Sequence, residues 1–212
     1  MKIQVLSVPA RSIAGDSMGK LFPFVLAGLV LFSCGPTAEE QLTYDQLVTE
    51  GWTLFQSAQY DSALSKFIQA GAIDPTGYEA YSGIGWSNLR LDQLSSAASS
   101  FQAGSTQFNA DVSATLFAGW AFVLNAQKQY SNSNTRADQA LGIDPNWIFE
   151  HGLSYDKDHV HVLKAENYFA LGDYTLSLTA VKAVNPSFSA DVTNSTGQAQ
   201  LAAEIERLKT TL

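Results

Sequence analysis

Apolar residues recur at helical spacing along most of this chain. In the segment that starts near residue 44 they form two neighbouring stripes: Leu47, Gly51 and Leu54, then Val48, Trp52 and Phe55. Two such stripes predict a helix whose wide apolar arc must be covered on more than one side. A second helix follows, with Ala63, Phe67 and Ala70 on one face. Asp74-Pro75 should end it, because proline disfavours helical geometry in the residue before it.

This helix pair repeats at an interval of 34 residues. The pair Gly51-Trp52 recurs as Gly85-Trp86 and again as Gly119-Trp120. The same interval joins Ala63 to Ala97 and Phe67 to Phe101. Repetition at such a period is typical of helix-pair units that stack on their neighbours and bury a continuous core.

The repeated residues resemble the tetratricopeptide repeat, which has a small residue in its first helix, then alternating aromatic residues and alanines, and a closing proline. The first unit carries Gly51, Tyr60, Ala63, Phe67, Ala70 and Pro75. The units fall at about 44–77, 78–111, 112–145 (with two extra residues between its helices) and, in degenerate form, 158–186. The resemblance implies an all-α fold, an α-solenoid of helix hairpins with about three clear repeats and a degenerate fourth.

The end of the chain differs from the repeats. An insertion, Asn146–Lys157, precedes the fourth unit, and Asn185-Pro186 should end that unit. After the repeat array (44–186), residues 187–212 are interpreted as a loop and a C-terminal capping helix, because a solenoid needs a terminal unit with a polar outer face. Leu201, Ile205 and Leu208 form its apolar stripe, with Glu204 among the charged residues placed elsewhere.

The first 34 residues predict export. Lys20 precedes an apolar run, Leu21 to Phe32, which is too short to span a bilayer but suits a signal peptide. Leu31-Phe32-Ser33-Cys34 resembles the bacterial lipobox, which implies a signal peptide over 1–33, lipid on Cys34 and a lipidated linker over 34–43. Met18 is an alternative start, and a buried cysteine is the alternative for Cys34. Gly35 favours the outer membrane, on its periplasmic or surface face.

Composition narrows the range of functions. Hydrophobic residues make up 46% of the chain and charged residues 15%, which is typical of a folded protein. The net charge is −8, and no cluster of Lys and Arg offsets it, so nucleic-acid binding is not expected. The single cysteine excludes an intramolecular disulfide.

The resemblance implies a ligand-binding groove lined by the first helix of each unit. Its predicted residues are Val48, Trp52, Phe55, Ser82, Trp86, Leu89, Arg90, Leu116, Trp120 and Val123. The three tryptophans would form a ladder suited to a peptide or an amphipathic helix. The alternative is that this ladder is core, covered by the chain's own insertion or tail helix.

Other candidate sites are weaker. His151, His159 and His161 lie near Glu150, Asp156 and Asp158, but without the spacing of a calcium loop, and we expect no metal and no cofactor. This stretch is interpreted as a polar, solvated loop, with Asp156 or Asp158 capping the next helix. No nucleophile motif or phosphate-binding loop occurs, so we do not expect an enzyme.

Taken together, these patterns predict a non-catalytic protein-protein interaction scaffold tethered to the bacterial envelope by a lipid. The expected partner is another envelope protein or a peptide. Two alternatives stay open: a glycan-binding surface lipoprotein, and a self-associating structural protein that forms homo-oligomers.

Overall fold

A computed structural model of the protein describes residues 42–107 and 113–212, and residues 41–212 group into one compact unit. Within the described ranges the regular elements are helices, joined by one isolated antiparallel bridge between Ile148 and Asp156. The helices are α1 (Tyr44–Gln56), α2 (Tyr60–Ile73), α3 (Tyr78–Arg90), α4 (Leu94–Gly104), α5 (Ala114–Ala126), α6 (Tyr130–Ile143), α7 (Lys157–Ala170), α8 (Tyr174–Val184) and α9 (Ser195–Thr211). None of these helices is long and apolar enough to cross a membrane. The predicted signal peptide, Cys34 and nearly all of the linker lie outside the described residues.

The helices pack as a stack of hairpins. Four hairpins form, α1 with α2, α3 with α4, α5 with α6 and α7 with α8, and each second helix also contacts the first helix of the next pair. The first helices contact one another in the order α1, α3, α5, α7, so they form one continuous layer. Helix α9 packs on α7 and α8 in the place of a fifth first helix. The predicted α-solenoid is confirmed.

All four hairpins share one three-residue turn. The turns span residues 57–59, 91–93, 127–129 and 171–173. The middle residue of each has a positive φ: Ala58 (57°), Asp92 (59°), Lys128 (60°) and Gly172 (79°). This left-handed residue lets the next backbone N–H reach back to an orphan carbonyl of the first helix, as Gln59 does to Leu54 at 3.0 Å. The identical turns place every second helix alike.

The third unit is out of the predicted register. Helices α1 and α3 begin 34 residues apart, but α3 and α5 begin 36 apart. The prediction of two extra residues between the helices of this unit is wrong, because its turn has the same length as the others; the extra residues precede α5. Trp86 therefore corresponds to Phe122, and Trp120 does not continue the ladder.

Phenylalanines of the second helices hold successive units together. The Phe67 ring lies between Gly51 and Gly83: an added β-carbon would come within 2.6 Å of it at Gly51 and 2.4 Å at Gly83. Phe101 repeats the arrangement, between Gly85 and Gly119. Glycine is needed at these positions because any side chain would meet a fully buried ring.

Later units replace part of this apolar packing by buried hydrogen bonds. Asn167, which is 0% exposed, accepts from Asn125 at 2.8 Å and donates to Ser133 at 2.8 Å and Asn134 at 2.9 Å. The Ser133 hydroxyl in turn donates to the carbonyl of Ala121 at 2.8 Å. These bonds join α5, α6 and α7, and such a network fixes the relative position of the helices because each buried group requires its partner.

The C-terminal helix α9 caps the stack. Leu201, Ile205 and Leu208 are buried, as predicted. Glu204, expected among the polar residues, is only 9% exposed. It is accommodated there because it accepts two bonds from Arg207, at 2.6 and 2.8 Å, and one from Asn185 at 2.8 Å. The guanidinium of Arg207 and the Asn185 amide hold the pKa of this carboxyl below its usual value.

Candidate functional site

The layer of first helices forms a groove lined with aromatic residues. Trp52 and Phe55 of α1, Trp86 of α3 and Phe122 of α5 face this groove at equivalent positions in successive turns and units. The side chains are held rigidly, since Trp52 also lies edge-on to Phe67, with ring centroids 4.8 Å apart. This is the surface that the sequence predicted as the ligand-binding groove.

The chain itself fills the first half of the groove. Residues 147–155, here called the plug, fold back in a short hairpin: Phe149 N–H donates to the Tyr155 carbonyl at 2.8 Å, and Lys157 N–H donates to the Trp147 carbonyl at 2.8 Å. Odd-numbered residues of the plug point into the groove, and even-numbered ones, such as Ile148 (65% exposed), point out. The predicted polar, solvated loop is therefore wrong for this segment.

Aromatic contacts fasten the plug. The Phe149 ring lies 4.4 Å from Trp86 and 5.8 Å from Phe55, centroid to centroid. His151 stacks on Trp52 at 3.7 Å with an interplanar angle of 7°. Burial lowers the pKa of His151 below its ordinary value, the nearby Glu150 carboxylate opposing this effect, so the stacked ring is held in its neutral form.

Hydrogen bonds orient the large rings below the plug. The indole N–H of Trp86 donates to the Thr115 carbonyl at 3.1 Å, and the indole N–H of Trp147 donates to the Thr115 hydroxyl at 3.1 Å. At the tip of the plug, the Gln56 amide donates to the Glu150 carbonyl at 3.4 Å. The plug thus connects α5 and α7 with the far end of the groove at α1.

Most of the predicted groove residues are covered in this arrangement. Phe55, Ser82, Trp86, Leu116, Trp120 and Val123 are buried, Val48, Trp52 and Leu89 are half-buried, and Arg90 is exposed. The structure therefore matches the alternative in which the ladder is core. The cover is the insertion rather than the tail helix.

The second half of the groove stays open. A pocket of about 250 Å³ lies between α5, α7, α9 and the plug. Its lining residues are Phe122, Asn125, Tyr155, His159, Val162, Leu163, Glu166, Lys209 and Leu212. Phe122 and Tyr155 stack at 5.2 Å, and Lys209 pairs with Glu166 at 3.0 Å across the rim. Sequence reasoning missed these residues because it placed Trp120 where Phe122 lies.

A second opening lies at the other end of the plug. This pocket, of about 290 Å³, is lined by Val48, Trp52, Tyr78, Glu79, Ser82, Ser113, Thr115 and His151. The buried Ser82 hydroxyl has no hydrogen-bond partner among the described residues. The groove is thus accessible on both sides of the plug.

The three histidines are separated by their roles in the structure. His151 stacks on Trp52, whereas the His159 side chain pairs with Asp156 at 2.8 Å. Asp156 is the N-cap of α7, as predicted, and accepts from the backbone of Asp158 and His159. His161 lies on α7, with its pKa lowered by burial and by Lys164. Within residues 42–107 and 113–212, no three His, Cys, Asp or Glu side chains are grouped to hold a metal.

Trp120 lies apart from the groove. It is 7% exposed, and the guanidinium of Arg136 sits 3.8 Å over its ring. Both residues line a pocket of about 290 Å³ between α4 and α6, with α5 as its floor. This placement follows from the register of the third unit.

Comparison with known proteins supports the fold. No family model matches the chain, and no curated protein is similar enough in sequence to count as a relative. Among solved structures, a crystal structure of MamA, a tetratricopeptide-like helical repeat protein, superposes with a TM-score of 0.54 at 15% identity, over 80% of this chain and 81% of that one. MamA 41-end from Desulfovibrio magneticus RS-1 gives 0.55 at 15% identity, over 68% and 74%. At this identity the likeness extends to the fold alone.

Proposed function

We propose that this chain is a non-catalytic protein-protein interaction scaffold, tethered to the bacterial envelope by lipid on Cys34. In this proposal a polypeptide segment of another envelope protein binds in the open half of the concave groove, next to the plug. The supporting observation is that the groove already holds a polypeptide: the chain's own residues 147–155.

The plug indicates what kind of ligand suits this surface. It is a short backbone segment whose alternate side chains enter the groove, while its outward residues stay in solvent. Affinity in such an arrangement comes from aromatic anchors that are desolvated among other rings. Trp52 and Trp86, predicted to contact a ligand from elsewhere, serve in cis by binding His151 and Phe149.

The open half offers the same chemistry to a partner. Phe122, Val162 and Leu163 supply an apolar floor, and Glu166 and Lys209 supply charges of both signs at the rim. An apolar centre with a polar rim is the usual anatomy of a protein interface. A partner segment with one or two apolar anchors and flanking charges fits this pocket.

Site-specific cross-linking tests the binding site. A photo-reactive amino acid at position 166 should cross-link the partner in living cells, and the same group at Ile148, on the outward side of the plug, is the matched control. Adding Phe122→Ser should abolish the cross-link from position 166 because it removes the apolar floor. Equal cross-linking from both positions, or no effect of Phe122→Ser, would contradict the proposed groove.

A separate experiment tests the tether. Cells that express the full chain should incorporate an alkyne-tagged fatty acid into it, and Cys34→Ser should eliminate the label and release the protein from the membrane fraction. Mass spectrometry of the mature N-terminus should show cleavage before Cys34, whether translation starts at Met1 or Met18. Labelling that survives Cys34→Ser would refute the lipid tether but leave the groove untouched.

A further inference from the structure

A polar pocket on the outer side of the stack lies away from the groove. It has a volume of about 290 Å³ and is lined by Ala98, Gln102, Trp120, Leu124, Gln127, Gln129, Asn132 and Arg136. Protein pockets for small molecules are mostly apolar with a few polar groups. Here amides and one guanidinium predominate, and no carboxylate is among the lining residues. The pocket is therefore suited to a polar ligand.

Arg136 is a half-buried cation without a carboxylate partner among the described residues. The other half-buried cations there are all paired: Lys66 with Glu50, Lys157 with Asp158, and Lys164 with Asp138. Burial lowers the pKa of Arg136, which shows that the charge is partly desolvated without compensation. An anion arriving in the pocket would supply the missing partner.

The guanidinium is held ready for such an anion. It stacks on Trp120 at 3.8 Å, and one of its nitrogens donates to Gln139 at 2.7 Å. A guanidinium has five N–H donors in a fixed plane, so most of its donors stay available. The stacking restricts the side chain before a ligand binds, which lowers the entropy cost of binding.

A row of amides lies beside the guanidinium. The Gln127 amide donates to the Leu94 carbonyl at 3.3 Å, Gln129 donates to Gln127 at 3.0 Å, and Asn132 donates to Gln129 at 3.1 Å. Each of these amides keeps a second N–H, and Asn132 keeps its carbonyl oxygen, for a ligand. Amides both donate and accept, so they match hydroxyl groups, which do the same.

We propose that this outer pocket binds a carboxylate-bearing sugar unit, a hexuronic acid, through Arg136 and the amides of Gln102, Gln127, Gln129 and Asn132. The carboxylate pairs with the guanidinium of Arg136, and the ring hydroxyls bond to the amides. A pocket of this size accommodates about one sugar unit. The site is independent of the peptide groove and of the lipid tether.

Calorimetric titration with defined small molecules tests this site. The protein comprising residues 35–212 is titrated with glucuronate, glucose, acetate and a short glutamate-containing peptide. Glucuronate should bind at least about tenfold tighter than the other three, because only it offers both the carboxylate and the hydroxyls. Arg136→Gln should weaken glucuronate binding by about tenfold or more, since a charge-assisted bond is lost.

Two further variants keep the test decisive. Arg90 also lies over an aromatic ring, that of Tyr60 at 5.3 Å, so Arg90→Gln is the matched control and should leave binding unchanged. Arg136→Lys keeps the charge and should still bind glucuronate more weakly, because a lysine cannot form the two-pronged pair. Thermal unfolding by circular dichroism verifies that each variant is folded.

The outcomes that overturn the proposal are equally defined. Absence of glucuronate binding at millimolar concentrations overturns it. Equal binding of acetate indicates an anion site without sugar recognition, equal binding of glucose excludes the carboxylate contact, and equal binding of the peptide indicates a protein ligand; each of these rejects the acidic-sugar site. Unchanged binding by Arg136→Gln rejects the assignment to this pocket.

Discussion

Replacing Phe149 by alanine should reveal how firmly the plug is part of the fold. The Phe149 ring is 3% exposed and lies between Trp86, 4.4 Å away, Phe55, 5.8 Å away, and Trp52, 6.1 Å away. Truncating a buried phenylalanine removes its transfer free energy and leaves a cavity, together about 3–5 kcal/mol. Aromatic pairs add about 0.5–1.5 kcal/mol beyond burial, which favours the upper part of that range.

Urea denaturation monitored by circular dichroism measures this loss. With a slope of about 2 kcal/mol per molar urea, the variant's midpoint should fall by about 2 M. Ile148→Ala is the matched control, because Ile148 is the adjacent residue but 65% exposed. It should change the free energy of unfolding by no more than about 0.5 kcal/mol.

A loss of less than about 1 kcal/mol for Phe149→Ala would refute this reasoning. It would mean that the plug leaves the groove at little cost, so that Trp52 and Trp86 become available to a partner. Acrylamide quenching provides an independent measurement: the wild-type tryptophans should be shielded, and the variant should be quenched more strongly. Strong quenching of the wild type would also count against a firmly seated plug.

Other substitutions test other parts of the structure. Asn167→Ala should lower the free energy of unfolding by about 3 kcal/mol, since three buried hydrogen bonds are lost, each worth about 1 kcal/mol, as urea denaturation would measure. Gly172→Ala should lower it by about 1 kcal/mol and Ala58→Gly raise it by about 0.5 kcal/mol, because both positions have a positive φ; thermal unfolding of the pair measures this. Stability should fall as the pH drops below about 6.5, because burial lowers the pKa of His151 in the folded state and the unfolded chain then binds more protons. Urea midpoints at several pH values measure this, and His151→Phe should lessen the dependence.

Each of these has an outcome that contradicts it. A loss below about 1 kcal/mol for Asn167→Ala would mean that water replaces the network. A loss in Ala58→Gly equal to that in Gly172→Ala would exclude backbone strain as the cause. The contribution of His151 is fully present above its unfolded-state pKa and lost as the pH falls through the folded-state value; a stability that rises on acidification, or a wild type and His151→Phe with the same pH profile, would contradict the burial argument.

Local signals in the sequence gave correct boundaries where one residue decides the backbone. Asp74-Pro75 predicted the end of α2, which ends at Ile73, and Asp156 was one of two predicted caps for α7. The stripe Leu201, Ile205, Leu208 predicted the buried face of α9. These features follow from propensity and periodicity, which do not depend on distant parts of the chain.

The register of the third unit required three-dimensional information. Gly119 follows Gly85 at the repeat interval, yet it is the counterpart of Gly83, since both accept the phenylalanine of the preceding unit. The equivalent of Gly85 is Ala121, another small residue, so two solutions fit the same pattern. Interval alone could not distinguish them, because two residues added before α5 leave every helix intact.

The plug did leave a signal in the sequence. Trp147, Phe149, His151, Leu153 and Tyr155 alternate with outward-facing residues, which is the period of an extended segment rather than a solvated loop. The charged residues at its end drew attention away from this alternation. Where the segment docks was beyond sequence reasoning, since its contacts lie on helices far away in the chain.

The plug also changes how the array must fold. Repeat arrays usually have contacts between neighbouring units only, so units can be added or removed and folding proceeds from one to the next. Here Gln56 bonds to Glu150, 94 residues away. Such a contact raises the contact order, slows folding and links the first unit to the fourth in one cooperative transition. During synthesis the first helix waits for residue 151 to leave the ribosome, and in evolution the number of units is fixed, because a plug of this length reaches across no longer array.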